Sequence, residues 1–175
     1  MKEKIKILTI FLGCFLFRLL PFRAPNVEPL MASIMPISRK YGAFFSFLFG
    51  FLSIFIYDFV THFGSWTLTV GITYGFVGIA AYFYFNKFKA SVLNFAVFAF
   101  FATIIFDLIT GVMIAPLFGE NLLTALVLQI PFTLLHLAGN VGFALTLSPL
   151  LNKWLVSERL FSFKKNASFV SVVNI

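Results

Sequence analysis

Asp58, Thr61, His62, Ser65 and Trp66 close a stretch that is otherwise apolar, YGAFFSFLFGFLSIFIYDFVTHFGSW from Tyr41 to Trp66. A carboxylate accepts hydrogen bonds or holds a cation, an imidazole gives or takes a proton, and an indole stacks on a ring or anchors at an interface. Ionisable groups at the mouth of an apolar helix are costly, which marks them as functional candidates. A weaker echo lies downstream in FATIIFDLITG, where Asp107, Thr110 and Gly111 close a second apolar run. YDFVT aligns with FDLIT, the form of a repeated helical unit with an acidic end. Beyond it, Glu120 and Asn121 lie in a loop with Pro116 and Gly119, and Gln129, His136 and Asn140 recur at i, i+7 and i+11, on one helical face. Counted from Leu122, Gln129 is about 10 Å along the helix, His136 about 21 Å and Asn140 about 27 Å. Gln129 is therefore expected on the floor of an outer pocket. His136 and Asn140 are expected deeper, in hydrogen bonds between helices. With no cysteine or nearby acid in sequence, His136 is a poor metal ligand.

The elements that must position these groups are membrane helices. The chain is 61% hydrophobic and 11% charged in 175 residues, with a mean hydropathy of +1.01. This is the composition of an integral membrane protein without a soluble domain. The 27 phenylalanines suit lipid-facing positions; an aromatic ligand cage is the sharper reading, and composition alone does not support it. The basic excess marks cytoplasmic loops rather than a nucleic-acid surface. Cys14 is the only cysteine, so neither an internal disulfide nor a cysteine metal cluster can form. The chain lacks G-x-x-x-x-G-K-[ST], H-E-x-x-H and G-x-S-x-G, so any ATP-driven step needs another chain.

The expected fold is all-α, a polytopic bundle of six transmembrane helices over residues 1–152, followed by a cytoplasmic interfacial or disordered tail, 153–175. Lys2, Lys4 and Lys6 precede an apolar run from Ile5 to Leu20; Arg18 and Arg23 sit where a signal-peptide cleavage site would lie, so a retained first helix is expected, with Arg18 snorkelling to the far interface. Pro21, Pro25 and Pro29 then interrupt the chain, with a turn at Pro25-Asn26. Val27 to Ile37 reads as a short or tilted second helix, or as a re-entrant segment. The third helix runs from Gly42 to Thr61, the fourth from Trp66 to Phe85, the fifth from Val92 to Ile114, and the sixth, broken by Pro131, from Leu122 to Leu151. Small residues at Thr9 and Gly13, and at Gly42, Ser46 and Gly50, offer stripes on which a partner helix packs closely. GITYG in the fourth helix reads first as packing within the monomer.

Six spans put Lys2, Lys4, Lys6, Arg39, Lys40, Lys87, Lys89, Lys153, Arg159, Lys164 and Lys165 on one side, and only Arg18 and Arg23 on the other. Both termini are then cytoplasmic in a multi-pass cell-membrane protein. Asp58, His62, Trp66, Asp107, Glu120 and Asn121 fall at the outer mouth with Arg23 and Glu28, and Gln129 lies beneath them. Singly they suit an ordinary interface; together they make an outward-facing substrate site.

RLLPFRAPNVEPLMA (Arg18 to Ala32), the Gly42 to Gly50 run, Tyr57-Asp58 and Gly64-Ser65-Trp66 leading into Gly75 resemble the substrate-capture (S) components of energy-coupling-factor (ECF) transporters. The resemblance covers most of Arg18 to Asn140. It implies capture of a vitamin or other scarce nutrient at the outer face, without chemical change or cofactor. It also implies association with a transmembrane coupling protein and two cytosolic ATPases. Where many S components carry A-x-x-x-A on the first helix, this chain has Thr9-x-x-x-Gly13. In the capture reading Asp58 and Asp107 favour a cationic or donor-rich solute, Trp66 stacks on a ring and Arg23 attracts an anion. Two other classes compete. A membrane scaffold resembling the rod-shape-determining MreD proteins would use the Gly/Ser stripes as partner surfaces. A lipid- or prenyl-processing enzyme would need paired acids, and no D-x-x-x-D or H-x-x-x-D lies at a helix end.

Overall fold

The computed structural model describes residues 2–24 and 26–170, and of Lys2 and 157–170 the backbone alone. Pro25 of the expected turn, the side chains of Arg159, Lys164 and Lys165, and residues 171–175 lie outside the described part. Among the described residues the architecture is all-helical: α1 (Lys2–Arg18), α2 (Leu30–Tyr41), α3 (Ala43–Val60), α4 (Ser65–Lys87), α5 (Val92–Asp107) and α6 (Leu122–Val170). α5 continues into a π-helical turn, Leu108–Met113, and a 3-10 turn, Ala115–Phe118. Four segments, Ala43–Val60, Ser65–Lys87, Val92–Phe118 and Leu122–Val156, are long and apolar enough to cross a membrane, the mark of a multi-pass membrane protein.

α2 is not one of those four. Twelve residues span only about 18 Å, against roughly 30 Å of bilayer hydrocarbon. Yet α2 is the centre of the bundle. Residues 30–38 are all buried, and the helix packs against α1, α3, α4, α5 and α6. Its apolar side chains face protein all round, so a short helix holds its place without lipid contact. Its direction is set by two contacts with α1. Glu28, just before α2, meets Arg18 at the end of α1 at 3.1 Å, and Tyr41 at its own end donates to Glu3 at the start of α1, 2.8 Å. The chain therefore runs antiparallel to α1 from one end of the bundle to the other and does not turn back as a re-entrant segment would.

One bundle end is basic. There Lys40 pairs with Glu3 at 3.2 Å, Lys6 donates to the Trp154 carbonyl at 3.1 Å, and Arg39 donates to Asn152. Gly42 makes the one-residue link between α2 and α3 at φ +88°, a left-handed conformation that suits glycine. Its role is this turn rather than the packing stripe in which the sequence placed it.

Ser46 and Gly50 do form a close-packed face, and its partner is α4 of the same chain. Ser46 Oγ donates to the Gly78 carbonyl at 3.0 Å, and Gly50 lies directly against the Tyr74 carbonyl. Thr9 and Gly13 differ: both are exposed, with nothing within 4 Å of the place a Cβ would occupy at Gly13. Phe47, Phe51, Phe55 and Phe59 stack at i, i+4 along α3, with ring centroids 5.6–6.5 Å apart. Rings such as Phe44, Phe59, Phe76 and Phe101 lie exposed on the bundle surface, as the lipid-facing reading of phenylalanine requires.

α6 departs from expectation in two ways. It passes through Pro131 and Pro149 unbroken, as membrane helices tolerate when neighbouring groups satisfy the backbone. It also continues past residue 152 as helix, with Leu155 fully buried against the bundle.

A polar pocket between five helices

At the end opposite the basic one, Arg18 is the charged group inside an apolar run. It does not snorkel. Its side chain is 13% exposed and its Nε lies 3.1 Å from Glu28 Oε2, whose side chain is 7% exposed. The guanidinium sits 4.1 Å from the centroid of the Tyr57 ring, a cation–π contact. Tyr57 Oη and Arg23 Nε each donate to the Arg18 carbonyl at 3.1 Å, tying down the carbonyl at the α1 terminus. Glu28 is held from its other oxygen, Oε1, by the hydroxyl of fully buried Tyr74, 2.8 Å. Arg18, Glu28 and Tyr74 thus join α1, the 19–29 segment and α4 in one buried charged network.

That network forms one wall of a cavity of about 220 Å³. Arg18, Arg23, Asn26 and Glu28 enter from α1 and the 19–29 segment, Ile54 from α3, and Trp66, Val70 and Tyr74 from α4. Phe106, Thr110 and Gly111 enter from α5 and its π turn, and Gln129, Phe132 and His136 from α6. Trp66, 50% exposed, lies at the rim, and its ring occupies the space a side chain at residue 64 would need. The π turn begins directly after Asp107, a placement common at functional sites. At Gly111 it has no side chain, and the Gln129 side chain fills that space.

Behind the cavity, α5 and α6 are joined by two hydrogen bonds one helical turn apart. His136 Nδ1 donates to Asp107 Oδ1 at 2.7 Å, and Asn140 Nδ2 donates to Thr103 Oγ1 at 2.9 Å. Phe106 and Phe132 pack edge-on against the His136 ring. Among the described residues no three His, Cys, Asp or Glu side chains converge; Asp107 and His136 are a pair.

Comparison with protein-family models, with curated proteins and with solved structures gives no match for this chain.

Of the seven residues expected to bind substrate, the structure brings two, Trp66 and Gln129, into the pocket lining. Asp107 lies one layer behind, 1% exposed, against His136. Asp58 is buried at the α3–α4 turn, where it accepts from Thr67 Oγ1 at 2.8 Å while Thr67 Oγ1 accepts from the Gly64 N–H at 3.1 Å. Asn121 Oδ1 accepts from the N–H of Leu123 at 2.9 Å, capping α6. His62 and Glu120 are exposed and outside the lining. His136 corrects the depth estimate: it lines the same pocket as Gln129, and it has an acid partner. Leu122 to Val156 is 35 residues, about 52 Å of helix, longer than a bilayer needs, so the start of the helix is a poor origin for depth.

Arg18, Asn26 and Tyr74 line the pocket although the sequence does not place them in the group at the outer mouth, while Glu28 and Arg23 are placed there without a binding role for Glu28. For Arg18 and Glu28 a signal existed, since an ionisable residue inside an apolar helix needs a partner. Tyr74 carried none beyond its place between two glycines of GITYG. The Asp58 geometry gives a test. Thr67→Val is expected to destabilise the chain by about 1–3 kcal/mol, because it leaves a buried carboxylate without its donor. Thr67→Ser should restore most of it, and thermal unfolding in detergent reads both.

Proposed function

We propose that this chain is a multi-pass cell-membrane protein that captures a small solute at the outer face without altering it chemically. In this reading all six helices cross or fill the membrane and both termini are cytoplasmic, because the basic bundle end belongs inside. The pocket at the opposite end then opens outward. One observation carries the proposal: a polar cavity with a buried charged wall, built from five helices and the 19–29 segment, at the end away from the basic cluster. Isolated charges in a membrane bundle are expensive, and a site for a solute is the use that accounts for concentrating them.

The resemblance to S components of ECF transporters supports the same reading and adds a role for partners. The exposed Thr9 and Gly13 face of α1 is where a transmembrane coupling protein, working with two cytosolic ATPases, would dock. The scaffold alternative loses support, since Ser46, Gly50 and the α4 glycines already pack on each other within the chain.

The test is thermal unfolding of the purified chain in detergent against a panel of vitamins, vitamin precursors and related small molecules. A ligand at 100 times its dissociation constant should add about 2.7 kcal/mol. The gain should vanish in Trp66→Ala and Gln129→Ala. No gain from any compound on the unsubstituted chain would overturn the proposal.

A further inference from the structure

Resting on the capture reading, we propose that the solute is an aromatic or similarly planar small molecule bearing one anionic acceptor group, a carboxylate being the simplest case. The anionic group is bound by Arg18 and Asn26.

The argument starts from what the pocket lacks. Among the described residues, the buried side-chain polar atoms without a hydrogen-bond partner include Arg18 Nε and Nη1, Asn26 Nδ2, Asp107 Oδ2 and Asn140 Oδ1. Asp107 and Asn140 do not line the cavity; Arg18 and Asn26 do. On the lining, then, the buried unpartnered atoms are all donors. Arg18 Nε is ion-paired with Glu28 at 3.1 Å, so the donors left for a ligand are Arg18 Nη1 and Asn26 Nδ2. Buried donors without acceptors cost roughly 1–3 kcal/mol each, more when charged. A ligand that supplies acceptors removes that cost, and one that supplies donors does not.

Among the described residues, Glu28 is the one acid on the lining, and it is already taken. The lining holds Arg18, Arg23 and Glu28 beside His136, and the Asp107 carboxylate lies one layer behind, against His136. Both oxygens of Glu28 are already engaged, by Tyr74 and by Arg18, so Glu28 is not free to hold a cation. A carboxylate matches the planar donor fork of a guanidinium. Arg18 is also pre-oriented, since the Tyr57 ring supports one side of it.

The rest of the wall selects shape. Trp66, Tyr74, Phe106 and Phe132 surround the remaining space, and aromatic faces and edges suit a flat ring. At about 220 Å³ the cavity is below the roughly 300–1,000 Å³ typical of drug-sized ligands. A single ring with a short acidic arm fits that scale. Asn26 holds a left-handed backbone, φ +61°, a conformation uncommon outside glycine. This places an amide donor on the lining at a conformational cost.

The experiment measures binding of benzoate, phenylacetate and indole-3-acetate to the full chain in neutral-lipid nanodiscs. The uncharged amides and the corresponding amines serve as matched probes. At least one carboxylate should bind, and roughly tenfold or more tighter than its amide, with no detectable binding of the amine. Two variants keep the fold while removing the guanidinium or the Asn26 amide. Arg18→Gln/Glu28→Gln together removes both charges of the pair and leaves Tyr74 an acceptor. Asn26→Gly suits the backbone angle and deletes the amide. Each should weaken the carboxylate by roughly tenfold or more with thermal unfolding little changed. Amides or amines binding as well as carboxylates would overturn the anionic assignment and leave solute capture standing. The same holds if both variants keep full carboxylate affinity. Protection by lysophosphatidylglycerol but by none of the soluble carboxylates would also overturn it, in favour of a lipid headgroup phosphate. Failure of these probes together with the vitamin panel would sink the capture reading itself.

Discussion

Glu28→Ala is expected to destabilise the protein by about 3–5 kcal/mol, the cost of leaving one member of a buried ion pair behind. Arg18, 13% exposed, would keep its charge with only the Tyr57 ring beside it. The Tyr74 hydroxyl, which now donates to Glu28 Oε1 at 2.8 Å, would lose its acceptor as well. The three groups sit on three separate segments, so the loss loosens α1, the start of α2 and α4 together. Arg18→Met with Glu28→Leu supplies the contrast. Replacing both charges by apolar side chains of similar volume is often neutral or stabilising, so the double variant should recover most of the midpoint. It should recover no ligand binding. Thermal unfolding of the two variants in one detergent, read beside a binding assay, separates what the pair does for the fold from what it does for the site. A Glu28→Ala midpoint equal to that of the unsubstituted chain would mean that the pair is solvated and the network is not a wall of the pocket.

The second large effect belongs to Gly50. A Cβ there would lie 2.6 Å from the Tyr74 carbonyl oxygen. That atom is backbone, so no side-chain rotation relieves the clash, and α3 and α4 must separate. Gly50→Leu is expected to cost about 3 kcal/mol, the upper end of ordinary overpacking. It should weaken ligand binding too, because the displaced backbone carries Tyr74, which holds Glu28. Gly13→Leu is the control on α1, where nothing stands within 4 Å of the added Cβ. It should change stability by no more than about 0.5 kcal/mol. If the exposed face of α1 receives a coupling protein, the same substitution should abolish that association while the isolated chain stays folded. Unfolding midpoints for the two glycine variants, together with co-purification for Gly13→Leu, check both statements.

Much of the architecture was legible because membrane helices are written in one dimension. Apolar runs of sufficient length, separated by Pro, Gly and charge, give α3, α4, α5 with its π turn and the start of α6 nearly at their observed bounds. Small residues spaced four apart also predicted a close helix contact at Ser46 and Gly50. Which helix fills that contact is not a property of the stripe, and α4 of the same chain fills it. The pocket was legible only in part. Trp66 and Gln129 do line the pocket, and an indole at a helix mouth and an amide within an apolar run are conspicuous in sequence. Asp58 was conspicuous for the same reason, and it serves Thr67 in a turn instead. A carboxylate at a helix mouth is costly in either role, so its presence does not say whether a ligand or a hydroxyl nine residues away satisfies it.

The sequence by itself determined the solvent this protein lives in, the helices, and the segregation of basic residues to one end, since burial of apolar side chains and the cost of charge in lipid act residue by residue. Tertiary structure alone decided three things. A twelve-residue helix, too short to span, became the centre of the bundle because five neighbours cover it. Arg18, Glu28 and Tyr74, 56 residues apart at the extremes, became one network because antiparallel packing brings their levels together. His136 joined the pocket because its depth is set by the helices it packs against and not by where its own helix begins. In each case the deciding quantity is the relative position of two segments. That position is set by long-range packing, which no spacing along the chain records.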